Sequence, residues 1–234
     1  AKRLAALGAR IVSIDRSEPE KVQSLLDALP KVASGPHFAL TASITDTAAL
    51  NAAAEAVKQR AGRCDILVNS AGFTKPVAAN DLEGLTDALF DDVVQTNLRG
   101  VFATIRAFTP LLKANGDGLI VNVSSIAGFT GAGSNLAYAA AKAGVDVLTK
   151  ALAKALAPHI RVIAVSPGVV DSSFVPGRGA DFNDKAAATI PLKRIGHVDD
   201  TASAIEACAV PLIDCLALFQ PPSDCQALLL FDDA

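Results

Sequence analysis

The sequence contains no methionine and no tryptophan, and tyrosine occurs once, at Tyr138. Because residue 1 is Ala, the chain does not open on an initiator methionine, and we expect its natural start to lie upstream. No uninterrupted apolar run is long enough to cross a bilayer, which argues against membrane insertion. The chain also lacks a charged leader followed by an apolar segment and a small-residue cleavage site, so we expect a cytoplasmic protein.

Cysteine, histidine and net positive charge are also scarce. The four cysteines are far apart and form no Cys-x-x-Cys pair, and the three histidines are equally separated. We therefore expect neither a disulfide framework nor a metal site. The net charge of −3 provides no basic field for a phosphate backbone, so we expect no nucleic-acid partner.

Short apolar runs rich in β-branched residues alternate along the chain with longer Ala- and Leu-rich segments of helical period. This alternation predicts an α/β fold, in which a doubly wound, mostly parallel sheet carries helices on both faces in three layers. With 234 residues and no linker or internal repeat, we expect one domain over 1–234. The predicted strands are 9–14, 37–41, 65–68, 119–123 and 160–165, and the predicted helices are 1–7, 19–29, 47–60, 86–113 and 136–156. Ligands of such sheets bind beyond the carboxyl ends of the strands.

The single tyrosine is followed four residues later by Lys142, within the helix-favouring segment YAAAKAG. That spacing places both side chains on one helical face. An ammonium group beside a phenol favours the phenolate, so we expect the pKa of Tyr138 to fall below its usual value of about 10, as a general acid/base requires. Taken alone, the pair is also compatible with an ordinary aromatic residue and a surface lysine.

The context of the pair is more specific. The strand LIVNV leads into Ser124 and Ser125, a glycine-rich loop follows, and Tyr138 stands thirteen residues after Ser125. This order resembles the short-chain dehydrogenase/reductase family, which has a Rossmann-like fold. The resemblance implies that the serine binds the substrate oxygen, that the tyrosine exchanges a proton with it, and that the lysine holds the nicotinamide ribose and tunes the tyrosine. By position these are Ser125, Tyr138 and Lys142. Ser124 is the neighbouring alternative, although the spacing favours Ser125.

Further motifs of the family follow in the same order. Asn69-Ser70-Ala71-Gly72 is similar to its Asn-Asn-Ala-Gly turn, which packs against the adenosine half of the cofactor. Asn97 matches a helix asparagine whose backbone helps to hold a water relayed to the lysine. A polar residue tolerated within a helix is the alternative interpretation. Pro167-Gly168-Val169-Val170 is similar to the Pro-Gly motif whose following backbone meets the nicotinamide carboxamide, although Pro-Gly alone is typical of a turn.

The resemblance also implies a cofactor preference. Asp15 ends the second strand of the family pattern, where a carboxylate accepts hydrogen bonds from the ribose hydroxyls of NAD and repels the extra phosphate of NADP. We therefore expect NAD, while the adjacent Arg16 leaves NADP as the alternative. Ser43-Ile44 stands where the family usually has Asp and an apolar residue against adenine, so Ser43 offers a weaker contact. Residues 171–195 are expected to form the substrate lid.

Both ends of the chain depart from the family pattern. The family begins with a central strand and a Thr-Gly-x-x-x-Gly-x-Gly turn, where a helix N-terminus receives the pyrophosphate. Because neither precedes the first helix here, we expect neighbouring strands with unpaired edges and no useful NADH binding by the chain from Ala1. Residues 208–234 form an atypical C-terminal segment, in which QALLLF matches the family's last strand only weakly. Family members assemble as dimers or tetramers through this region, so the resemblance implies a homo-oligomer.

The leading hypothesis is an NAD(P)-dependent oxidoreductase that interconverts an alcohol and a ketone or aldehyde of small size. The alternative is a catalytically inactive, truncated remnant that acts as a binding module. The complete set of Ser125, Tyr138 and Lys142 favours the first hypothesis, whereas the departures at the ends favour the second. The sequence does not identify the alcohol, because fold resemblance leaves the substrate open.

Overall fold

The computed structural model describes residues 1–209 and the strand at 226–230. Its strands are β1 (Arg10–Asp15), β2 (Phe38–Thr41), β3 (Ile66–Asn69), β4 (Gly118–Val123), β5 (Ile160–Val165), β6 (Val170–Asp171), β7 (Gly196–His197) and β8 (Gln226–Leu230). Its helices are α1 (Lys2–Ala6), α2 (Pro19–Asp27), α3 (Thr47–Ala61), α4 (Asp87–Val94), α5 (Val101–Ala114), α6 (Ala127–Thr130), α7 (Leu136–Ala155), α8 (Phe182–Thr189) and α9 (Val198–Ala209). Every predicted strand and helix is present, with bounds that agree to within about two residues.

The described strands form a six-stranded parallel sheet in the order β2-β1-β8-β3-β4-β5, and β6 pairs with β7 in a separate ribbon. Side chains of β1 alternate between two apolar cores. Val12 and Ile14 belong to the core shared with α3, α5 and α7, whereas Ile11 belongs to the core shared with α1 and α2. Helices therefore cover both faces of the sheet, which confirms the predicted doubly wound, three-layer α/β fold.

The central position of the sheet differs from the expectation. We expected β1 and β3 to have unpaired edges beside a missing strand, but β8 lies between them and is parallel to both. Leu228 is in register with Val12 on one side and with Leu67 on the other. The expectation of exposed edges is therefore wrong, because the segment that resembled only a weak last strand supplies backbone partners to both neighbours.

The predicted long helix 86–113 is interrupted in its middle. A π-helical turn, Gln95–Gly100, joins α4 to α5 and contains Asn97. In a π-helical turn the backbone hydrogen bonds join residues five apart in the sequence, whereas in an α-helix they join residues four apart. Such turns are frequent at functional sites. Helical periodicity alone cannot reveal this insertion, because the apolar pattern continues on both sides.

Within 1–209 and 226–230, no helix is both long and apolar enough to cross a membrane. The same residues contain no group of three or more His, Cys, Asp or Glu side chains arranged to hold a metal ion. Most of the predicted atypical segment 208–234, including Cys215, Cys225 and Pro221-Pro222, lies outside the described residues.

Candidate active site

A cavity of about 1110 Å³ lies beyond the carboxyl ends of β3, β4 and β5. The strand ends contribute Val68, Val123 and the segment Pro167–Val170 to its wall. Ser125, Tyr138 and Lys142 also line it, and residues of the predicted lid close the opposite side. The cavity thus occupies the edge of the sheet where parallel α/β folds bind their ligands.

The two adjacent serines after β4 have different partners. The Ser125 side chain interacts with the Tyr138 phenol in the direction that lowers its pKa, and the Ser125 oxygen accepts a hydrogen bond from the backbone N–H of Ala127 at 3.2 Å. The Ser124 side chain is buried, and its hydroxyl donates to the backbone carbonyl of Lys142 at 3.2 Å. Of the two candidates, Ser125 is therefore the one that faces the tyrosine hydroxyl.

Tyr138 is positioned by the first turn of α7 and by the predicted lid. The Asn135 side chain caps the helix and accepts a hydrogen bond from the Tyr138 backbone N–H at 2.7 Å. Across the cavity, the centroid of the Phe174 ring lies 5.9 Å from that of the Tyr138 ring. The phenol is held on one side by the helix and packed on the other by an aromatic ring.

The pKa of Tyr138 is raised, opposite to the expected direction. Burial of the phenol is the largest cause, while the Ser125 side chain and the positive charge of Arg178 act in the lowering direction. The cation whose charge acts on the phenol is thus Arg178, whereas the sequence pointed to Lys142. Spacing along a helix indicates a shared face, but it does not reveal how far burial outweighs a neighbouring charge.

Lys142 is buried beneath the tyrosine. Its Nζ donates a hydrogen bond to the backbone carbonyl of Val123 at 2.8 Å and lies 5.6 Å from the Tyr138 ring centroid. Burial lowers the pKa of Lys142 to about 8, and the nearby carboxylate of Asp146 acts in the raising direction. At neutral pH the ammonium is therefore still charged beneath the tyrosine.

Asn97 connects the π-helical turn to the loop after β3. It is fully buried, and its amide nitrogen donates to the backbone carbonyls of Phe73 at 2.6 Å and Val93 at 2.9 Å. A Cβ atom at Gly72 would lie 2.9 Å from Asn97 Oδ1 and 3.3 Å from the Phe174 ring. Only glycine fits there without displacing its neighbours, so the turn lies close to both the asparagine and the predicted lid.

The residues expected at the adenosine side lie outside this cavity wall. Asp15 is buried, and its Oδ1 accepts a hydrogen bond from the backbone N–H of Ser17 at 2.6 Å. Arg16 is exposed at the end of β1. The hydroxyl of Ser43 is hydrogen-bonded to a nearby threonine hydroxyl, and Ile44 is a core side chain. These four residues are not among those that line the cavity.

Asn69 and Ala71, two of the other three residues of the predicted turn, are also buried. The Asn69 amide donates to the side-chain oxygen of Asn122 at 2.8 Å, and Asn122 donates in turn to Thr149 at 2.8 Å. This chain of bonds ties β3 to β4 and α7. Of the predicted turn, Gly72 lines the cavity directly, whereas Asn69 and Ala71 support it from the core.

Two residues of the site were missed by the sequence reasoning. Asp146 stands four residues after Lys142 on α7, and the spacing that identified Tyr138 and Lys142 could have found it. Its carboxylate is buried, and neither oxygen has a hydrogen-bond partner among the described residues. Arg178 comes from the predicted lid, within the segment GRGADF, and no sequence pattern indicated that it would line the cavity.

Comparisons with known proteins find several reductases among the relatives of this chain. The family model described as enoyl-(acyl carrier protein) reductase matches residues 1–213. The 3-oxoacyl-(acyl-carrier-protein) reductase FabG of Staphylococcus aureus is 33% identical over 206 residues, which make up 88% of this chain and 82% of the relative. The crystal structure of levodione reductase aligns with a TM-score of 0.82 at 28% identity, covering 97% of this chain and 89% of that one. A structure described as a short-chain dehydrogenase/reductase from Burkholderia xenovorans gives a TM-score of 0.78 at 30% identity, covering 98% and 89%.

Proposed function

The chain belongs to the short-chain dehydrogenase/reductase family of oxidoreductases, and from this premise we propose that it interconverts a ketone or aldehyde and the corresponding alcohol with NAD(P) as cofactor. The observation that carries the proposal is the placement of Ser125, Tyr138 and Lys142 together in the wall of the cavity, with the Lys142 Nζ 5.6 Å from the centroid of the tyrosine ring. A similar relative is a ketoacyl reductase, which supports reduction of a carbonyl as the working direction.

The cavity fits the nicotinamide and ribose half of such a cofactor. A Cβ atom at Gly168 would meet only Ile126, at 3.5 Å, so a flat ring can approach the backbone closely at this position. The polar groups in the cavity wall also match those that such a cofactor needs. Lys142 and Tyr138 would hold the ribose hydroxyls, and the backbone from Pro167 to Val170 would meet the carboxamide. A bound nicotinamide supplies or accepts the hydride.

The chain itself supplies the proton that reduction of the carbonyl requires. A substrate carbonyl oxygen in the cavity would accept hydrogen bonds from the hydroxyls of both Ser125 and Tyr138, which line the same wall. As hydride reaches the carbonyl carbon, Tyr138 donates its proton to the developing alkoxide, and in the reverse direction the phenolate accepts it. Lys142 stabilises the phenolate through its positive charge. Ser125 orients the oxygen in both directions.

The proposal also covers the cofactor preference, the cellular compartment and the assembly of the protein. Asp15, at the end of β1, would accept hydrogen bonds from the adenosine ribose and disfavour the phosphate of NADP, so NAD is the proposed cofactor. Arg16 is the residue that would instead receive that phosphate. We propose that the protein works in the cytoplasm as a homo-oligomer on small alcohols and carbonyl compounds.

The two serines provide a matched test. Turnover of 3-oxoacyl thioesters, sugars, steroids and small diols is followed through nicotinamide absorbance for the wild type, Ser125→Ala and Ser124→Ala. With the best substrate, Ser125→Ala should lower kcat by roughly 10²-fold or more, as expected for a lost oxyanion donor, and Ser124→Ala should have a much smaller effect. Equal losses in both variants would contradict the assignment of Ser125. Titration of the 234-residue chain with NADH separately tests the expectation of weak cofactor binding.

A further inference from the structure

The guanidinium of Arg178 lies in the cavity wall and forms no ion pair with the residues that the structure describes. Arg178 lies in the predicted lid and lines the same cavity as Ser125 and Tyr138. Two other arginines of the region differ, because Arg3 is paired with Asp199 and Glu206, and an exposed arginine at 194 is paired with Asp200.

The guanidinium of Arg178 also has unused donors. Its Nη1 donates to the backbone carbonyl of Val170 at 3.1 Å, whereas its Nε is buried and has no partner among the described residues. The Phe182 ring lies beneath the guanidinium, with its centroid 4.4 Å from Cζ. The acid whose charge acts on Arg178 is Asp171, and its carboxylate accepts a hydrogen bond from Asn183 at 3.0 Å. A partly desolvated charge with spare donors is costly unless an anion offsets it.

The surroundings of Arg178 indicate which anion fits. Phe174 and Phe182 bring aromatic rings to this side of the cavity, which reduces the competition from water that weakens ionic contacts. A planar guanidinium fork matches the two oxygens of a carboxylate. Arg178 lines the same cavity as Tyr138 and as Phe174, whose ring packs against the tyrosine, so a group bound by Arg178 would share the cavity with the reacting oxygen.

We propose that Arg178 binds a carboxylate of the substrate, so that the substrate class is a short oxo acid and the corresponding hydroxy acid. This inference rests on the proposed function. It places the substrate carboxylate next to the reacting centre at Ser125 and Tyr138. The proposed role of Arg178 is specificity, since it contacts the substrate but exchanges no proton with it.

The test compares an oxo acid with its methyl ester of the same chain length, which removes the charge and keeps the carbonyl. Wild type should have the higher kcat/KM on the acid. Arg178→Gln should lose about 10- to 100-fold on the acid, as expected for a hydrogen-bonded charge pair, and change little on the ester. Arg178→Lys should recover part of the loss, and it keeps the test valid if the glutamine variant disturbs the lid. Arg194→Gln is the matched control, because Arg194 is exposed and does not line the cavity.

A binding measurement separates this inference from the proposed function. The saturated carboxylic acid of the same length, which has no carbonyl, is titrated into each variant by calorimetry. We expect about 10-fold weaker binding or more in Arg178→Gln and unchanged binding in Arg194→Gln. Binding that depends on Arg178 without any nicotinamide turnover would support the carboxylate site and refute the proposed function. Turnover of acid and ester alike, unaffected by Arg178→Gln, would refute the carboxylate site alone.

Discussion

The Nζ atom of Lys142 lies 5.6 Å from the centroid of the Tyr138 ring and donates its hydrogen bond to the Val123 carbonyl at the end of β4. The charge that acts on the tyrosine phenol is that of Arg178, and the Ser125 side chain also acts to lower its pKa. Tyr138 and Lys142 both lie on α7 and are one turn apart, so the helix sets the spacing of their backbones. The Val123 carbonyl then holds the lysine ammonium at the end of β4.

Replacement of the tyrosine tests the proton donor. Tyr138→Phe keeps the ring packed against Phe174 but removes the hydroxyl that contacts Ser125. Turnover should fall by roughly 10²- to 10⁴-fold, the loss typical of a general acid. The thermal midpoint should change little, because the buried ring remains. Near wild-type turnover in a correctly folded variant would show that another group donates the proton.

The pH dependence of stability tests the burial of Lys142. Its pKa is about 8 in the folded protein and 10.5 in the reference state, so between these values the unfolded chain holds a proton that the folded protein lacks. The free energy of unfolding should therefore rise across this window, by about 3 kcal/mol relative to Lys142→Met. Below pH 8 the ammonium is charged in both states and the difference should be flat. Urea unfolding at several pH values measures it.

A surface lysine on the same helix provides the control for that measurement. Lys150 lies on α7 and is exposed. Lys150→Met should follow the wild-type pH profile, whereas Lys142→Met should lack the rise. Parallel profiles for the wild type and Lys142→Met would mean that the amine is not buried as described.

The cofactor preference depends on one carboxylate. Wild type should have a higher kcat/KM with NAD than with NADP, and Asp15→Asn should reduce this ratio by about tenfold, because the like-charge repulsion of the phosphate is removed. The asparagine keeps an oxygen for the Ser17 N–H, so the turn after β1 should be preserved. Measurement of kcat/KM with NAD and with NADP, for the wild type and for Asp15→Asn, tests this assignment. A clear NADP preference of the wild type would argue instead for Arg16 as the determinant.

The position of β8 is tested through its backbone. Leu228→Pro removes an N–H from a strand that pairs on both sides, which leaves a carbonyl without its donor. The free energy of unfolding should fall by about 2 kcal/mol or more. Leu228→Val keeps the N–H and a residue that favours strands, so it should be close to wild type. Equal urea midpoints for the proline and valine variants would show that β8 does not pair within the sheet in solution.

Local patterns in the sequence predicted most of the fold and the centre of the site. The strands could be located because apolar runs flanked by turns are typical of buried strands, and Ser125, Tyr138 and Lys142 lie together because strand end and helix start are neighbours in the chain. The three residues are close in sequence, but the spacing of Tyr138 and Lys142 alone was only suggestive, and the resemblance to the family identified the set. The spacing of the family pattern also favoured Ser125 over Ser124.

What could not be predicted depends on packing between distant segments. The pairing of β8 with β1 and β3 depends on which strand edges have backbone groups without partners. The hydrophobic periodicity of the sequence does not reveal those edges. Arg178 reaches the cavity because the predicted lid folds over it, and the raised pKa of Tyr138 reflects burial by that same arrangement. The carboxylate of Asp146 was visible in the spacing, but its lack of partners was not.

The central strand of the sheet also has consequences for biosynthesis. β8 follows β1 and β3 in the sequence, yet it lies between them. A ribosome therefore releases both neighbours long before the strand that joins them, and the two halves of the sheet cannot connect until residues 226–230 have emerged. Topologies dominated by such distant pairings fold slowly and have exposed strand edges during the delay. We therefore expect the nascent chain to depend on chaperones until synthesis of β8 is complete.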